Sequence, residues 1–131
     1  MNKQIEVTGF VDSLIPYYKA ANVVICPLRI GGGIKVKILE AINAGKAIVS
    51  TSIGAQALDL RTHQAVIIAD KASDFAKKVI QFLVDPIECY RQEQVALAYS
   101  NMLPSWVQVS QQYANFYNEM ASRGHKQPII V

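Results

Sequence analysis

The stretch from Pro27 to Gly45, PLRIGGGIKVKILEAINAG, holds the residues best suited to chemistry. Gly31, Gly32 and Gly33 stand between an apolar, strand-like run and a helix-like one beginning near Ile34. Glycine there lets the backbone approach a ligand closely and adopt a positive φ at little cost. The helix start offers N–H groups without intrahelical acceptors and the positive end of the helix dipole, and both favour a bound phosphate. Lys35 and Lys37 place positive charge in the same first turn, where it opposes the dipole unless an anion is bound. The competing reading is a plain flexible loop followed by solvated lysines. No Gly-Lys-Ser/Thr follows, so this is not a Walker loop. Val36 at the third position after Gly33 excludes a dinucleotide fingerprint.

Glu40 is the acid of a helix otherwise occupied by Ile34, Val36, Ile38, Leu39, Ala41 and Ile42. A carboxylate in that company needs a partner. Lys37, three residues earlier, could pair with it, or sugar hydroxyls could donate to it. Ser50, Thr51 and Ser52 end the next strand-like run, on the side of a parallel sheet where ligands gather. Ser52 and Arg29 are therefore further pocket candidates, with turn formation the alternative for the serine. His63 and His125 lack ligand or triad partners at useful spacing. Cys26 and Cys89 read as reduced thiols, so no metal site or disulfide is expected. No residue is assigned as catalytic.

The elements that would position these groups alternate. Ile5–Thr8 reads as a strand closed by Gly9, and Asp12 or Ser13 can cap a helix to about Ala20 with Leu14, Tyr17 and Tyr18 on its apolar side. Val23–Cys26 is apolar throughout, as in a buried parallel strand. The helix from Ile34 to Ala44 closes at Gly45; Ala47–Thr51 and Ala65–Ile68 read as two more strands. From about Ser73 to Ser122 the pattern is helical, with Phe75, Val79, Phe82 and Leu83 at helical spacing and breaks at Pro86 and Pro104. Trp106, Tyr113, Phe116 and Tyr117 read as core residues of this extension, a docking face being the alternative. The expected fold is α/β, a Rossmann-like three-layer arrangement. It has a short, mainly parallel sheet of about four strands and a helical C-terminal extension, in one domain spanning 1–131.

Composition agrees with a globular chain, since hydrophobic residues make up 51% and charged residues 18%. A net charge of +3 with scattered basic residues does not argue for nucleic acid. Lys77 and Lys78 read as a solvated helix face, and Arg123, His125 and Lys126 as a frayed tail. No apolar run is long enough to span a bilayer and the N-terminus has no signal core, so a cytoplasmic location is expected.

In their order and spacing, Val7-Thr8-Gly9-Phe10-Val11, Leu14, Tyr17–Val23, Pro27-Leu28-Arg29, the glycine loop, Leu39-Glu40-Ala41-Ile42, Gly45–Thr51 and Gly54 resemble group 1 (family 4 type) glycosyltransferases of the GT-B fold. The resemblance covers roughly residues 5 to 120, matching the C-terminal, nucleotide-sugar-binding domain. It implies transfer of a sugar from a nucleotide diphosphate to a hydroxyl acceptor in glycan or polysaccharide biosynthesis. The anomeric configuration would be retained, with no cofactor and no obligatory metal. Backbone amides of Gly31, Gly32, Gly33 and Ile34, with Lys35 and Lys37, would hold the diphosphate, and Glu40 the ribose. Many relatives carry a second glutamate eight positions before the first, where this chain has Gly32.

The same resemblance implies that Ile5–Thr8 and Val23–Cys26 are strands 3 and 4 of the order 3-2-1-4-5-6. Strands 1 and 2 and the N-terminal acceptor domain would then lie in an upstream segment. The 131-residue chain alone is expected to be inactive. Its expected partners are the nucleotide sugar, that missing segment, and a second copy paired through an exposed sheet edge. The full enzyme could touch a membrane peripherally. The alternatives are a non-catalytic nucleotide-binding or protein-interaction module derived from a glycosyltransferase, and a structural α/β domain docking through its helical tail.

Overall fold

The computed structural model describes residues 5–56, 58 and 62–122. The basic tail at Arg123, His125 and Lys126 lies outside the described residues. The chain forms two compact units, Met1–Ser100 and Asn101–Val131.

The first unit is built on a parallel sheet of three strands in the order β1 (Val23–Cys26), β2 (Ala47–Ser50) and β3 (Ile67–Ile68). Val23 pairs with Ala47 and Cys26 with Ser50, while Val49 pairs with Ile67. Every residue of β2 is buried, as expected for a central parallel strand covered on both faces. Ala47 and Val49 pack with Ala69 and with Phe82, Phe75 and Val79 of α4 (Ala72–Val84). Ile48 and Ser50, pointing the opposite way by the pleat, are also fully buried. On α2 (Val36–Asn43), Ile38, Ala41 and Ile42 form the buried stripe, and the helix contacts both β2 and α5 (Pro86–Ser100).

Several expectations need correction. Ile5–Thr8 is not a strand, so the sheet has three strands among the described residues rather than four. A β-former becomes a strand only when a neighbour takes its backbone hydrogen bonds. Here none does, and Ile5 and Val7 stand 65% and 71% exposed. The last strand is shorter than its apolar run, because Ala65 ends the helix α3 (Thr62–Ala65) and pairing starts at Ile67. The first helix, α1 (Ile15–Ala20), buries no residue, and Leu14 and Tyr17 are exposed rather than packed.

Helix ends explain the remaining boundaries. Gly33 has φ 72° and Lys35 is extended, so α2 begins two residues after Ile34. It ends in a Schellman motif: Gly45 at φ 63° donates to the Ile42 carbonyl and Lys46 to that of Ala41. In the second unit, α6 (Trp106–Ser122) opens with a capping box. Ser105 N–H donates to Gln108 Oε1 at 2.7 Å, and Gln108 N–H donates to Ser105 Oγ at 3.2 Å. The helix buries no residue. Trp106, Tyr113, Phe116 and Tyr117, expected in a core, are exposed, and Tyr117 meets its neighbours Tyr113 and Phe116 ring to ring.

Candidate functional site

The carboxyl ends of parallel strands are where a sheet of this kind gathers its ligands, and here they are laced together. Thr51, just past β2, donates its amide to Cys26 O at 3.2 Å and its hydroxyl to Leu28 O, and its Oγ1 accepts the Gly54 N–H at 3.0 Å. Ser52 gives both its amide and its hydroxyl to Asp70 Oδ1, at 2.8 and 2.9 Å. The segments following β1, β2 and β3 are thereby held to one another. Ser52 is accordingly the clasp between two of them, both of its donors being engaged.

The glycine loop leaves β1 at this end and returns as α2. Gly31 and Gly33 have φ of 143° and 72°, values that side-chain-bearing residues rarely adopt, whereas Gly32 is conformationally ordinary. Lys35 folds back over the loop, and its ammonium donates to Gly32 O at 2.6 Å and Gly33 O at 3.0 Å. Two loop carbonyls are thus turned to the lysine, and a third ammonium hydrogen remains. Ile34, Lys37 and Arg29 are exposed. Arg29 makes no hydrogen bond or ion pair among the described residues.

Glu40 lies one helical turn from the start of α2, about 6 Å along the axis. Its partner is not Lys37. The carboxylate accepts the phenol O–H of Tyr18, at 3.0 Å between Oη and Oε2, and the same Oη stands 3.3 Å from the Lys37 carbonyl. Burial and the neighbouring carboxylate push the Tyr18 phenol up to about 12, so it holds its proton for this bond. Tyr18 and Glu40 both line a groove of about 730 Å³. The segment Phe10–Ile15 forms another wall, and Lys19, Asn43 and Ala44 complete the lining.

A second groove, of about 410 Å³, contains the Lys46–Glu93 ion pair at 3.8 Å and Cys89. Burial first, and Glu93 second, push the Cys89 thiol up, outweighing the opposite effect of Lys46. A thiol kept protonated is a poor nucleophile.

The structure therefore joins Gly31, Gly32, Gly33 and Lys35 in one compact loop at the mouth of α2, with Glu40 a turn away in a groove. It puts Ser52 to structural use. Tyr18 and the Phe10–Ile15 wall are the site residues that sequence reasoning missed. Tyr18 reads as one more apolar contact on α1, and nothing in its spacing indicates a carboxylate 22 residues further on.

A sequence profile of the family described as glycosyl transferases group 1 matches residues 1–85 of the chain. No curated protein and no solved structure matches it.

Proposed function

Because this chain belongs to the group 1 glycosyl transferases, we propose that it is the donor-binding part of a retaining, GT-B-type enzyme. Such an enzyme transfers a sugar from a nucleotide diphosphate to a hydroxyl acceptor. In this reading the three-stranded sheet and its helices are the later portion of a Rossmann-like, three-layer donor domain. The diphosphate sits at the amides of Gly31–Ile34 and the start of α2, with Lys35 and Lys37 as counter-charges. The nucleoside lies in the groove of Phe10–Ile15, its ribose hydroxyls donating to Glu40. Preorganised amides and lysines would stabilise the leaving diphosphate, which needs no obligatory metal.

The observation that carries this reading is the placement of Glu40. A carboxylate fixed by Tyr18 lines an open groove and lies one turn, about 6 Å along the axis, from a glycine-rich helix start. An amide NMR titration with UDP and with GDP tests it. Shifts confined to Gly31–Gly33, Lys35 and the groove are expected. Glu40→Ala, which removes a charged hydrogen-bond acceptor, should weaken binding about ten- to a hundredfold. A dispersed spectrum unmoved by either nucleotide would overturn the reading.

Gly32, where the family resemblance leads one to expect a second glutamate, and the ammonium of Lys35 turned onto the loop favour a second reading: a nucleotide-binding or interaction module without transferase activity. In both readings the 131 residues alone are expected not to turn over a nucleotide sugar, since the first assigns acceptor binding to a different domain and the second has no transferase activity. Sugar transfer by the purified chain would refute that. Among the described residues no helix is long and apolar enough to cross a membrane, and a cytoplasmic enzyme remains the proposal.

A further inference from the structure

We propose that Tyr18 is a positioning residue for Glu40: its hydroxyl fixes one carboxylate oxygen so that the other is presented, already aimed, to a ribose hydroxyl in the groove. The inference rests on the donor-site reading above and adds to it a residue from a different helix.

The Tyr18 hydroxyl has a single proton and two acceptors in reach, Glu40 Oε2 at 3.0 Å and the Lys37 carbonyl at 3.3 Å. The charged, nearer oxygen takes it, because hydrogen bonds to ionised acceptors are about twice as strong as neutral ones. Oε1 has no hydrogen-bond partner among the described residues. Glutamate is among the side chains that lose most rotamer freedom when ordered. A carboxylate tied at one oxygen has already lost that freedom, whereas an untied one must lose it when the ligand binds. Tyr18 belongs to α1 and Glu40 to α2, and both line the groove, so the bond joins the two helices there. The charged groups facing the pair are Asp12 and Lys19, which line the groove. Neither is hydrogen-bonded to Glu40.

The test measures binding of UDP and of 2′,3′-dideoxy-UDP, which lacks both ribose hydroxyls. The proteins are the full chain, Tyr18→Phe, Glu40→Gln and the double variant. Tyr18→Phe keeps the ring and removes only the hydroxyl. It should weaken UDP about three- to tenfold and leave the dideoxy ligand within about twofold. On a Glu40→Gln background it should add little, since both changes act through one carboxylate. An equal loss for both ligands, or additive losses in the double variant, would overturn the proposal. If Glu40→Gln weakens UDP but Tyr18→Phe does not, positioning by Tyr18 fails and the donor site stands. If Glu40→Gln has no effect on UDP, or the unmodified chain binds neither UDP nor GDP, the donor-site reading fails and takes this one with it. Should Tyr18→Phe not fold, tyrosinate absorbance of Glu40→Gln provides the second measurement. One phenol should fall back from about 12 toward the ordinary tyrosine value, and an unchanged titration would overturn the link.

Discussion

At Gly54 an added methyl would fall on Ser50 Oγ, 2.7 Å from the Cys26 carbonyl oxygen and 2.9 Å from its sulfur. All three atoms are fixed by β1 and β2. Gly54→Ala should therefore cost about 1–3 kcal/mol, as overpacking of a tight core does, read as a lowered urea midpoint. Gly32 is the contrast, having neither a positive φ nor any atom within 4 Å of an added Cβ. Gly32→Ala and Gly32→Glu should each stay within about 0.5 kcal/mol of the parent. The Tyr18 phenol gives a pH dependence of definite sign. Its folded value is raised from 10.0 to about 12, so its contribution to stability is complete below pH 10.0 and fades as the pH rises toward about 12. The stability difference between the parent and Tyr18→Phe should accordingly shrink across that window, measured by urea unfolding at stepped pH. The glycine loop could be read from sequence because glycine reports on its own backbone. Tyr18 could not, since its partner is chosen by tertiary packing.

Asp85 serves two helices at once. Its amide closes α4 by donating to Gln81 O at 2.9 Å, and its Oδ1 accepts the Ile87 and Glu88 N–H groups at 3.1 and 3.0 Å to cap α5, with Pro86 at the first helical position. Asp85→Ala removes only the second function and should cost about 0.5–2 kcal/mol, seen as a lower thermal midpoint. Asp85→Asn, which can still accept, should recover most of it. Helices of this kind are legible in a sequence because their hydrogen bonds are internal. Phe75, Val79 and Phe82 pack inward from α4 as their spacing predicts, whereas Leu83 of the same run is 54% exposed, and Gly45 ends α2 as its position predicts. A strand is a relation between two segments. Val23–Cys26 and Ala47–Ser50 found each other, whereas Ile5–Thr8 has the right composition and no neighbour. The exposed aromatics of α6 failed for the same reason, because their spacing shows a stripe and not what covers it.

At the scale of the sheet, β1 is an outer strand, its other backbone edge carries no ladder among the described residues, and Ile25 is 48% exposed beside it. Such an edge pairs readily with another chain. A dimer is the expected species in sedimentation at micromolar concentration, and Ile25→Lys should shift it to monomer; a strictly monomeric parent would exclude edge pairing. The parallel pairing bears equally on how the chain is made. Val23 can meet Ala47 only after the loop and α2 between them have been synthesised and folded back, and Val49 meets Ile67 only after a second crossover. The sheet therefore has no hairpin from which to grow, and its pairing belongs to the slow class. On a translating ribosome, β1 would wait about one to five seconds for its partner strand to be synthesised, its apolar run unpaired throughout, so the nascent chain is most exposed to misassociation before its central strand has emerged.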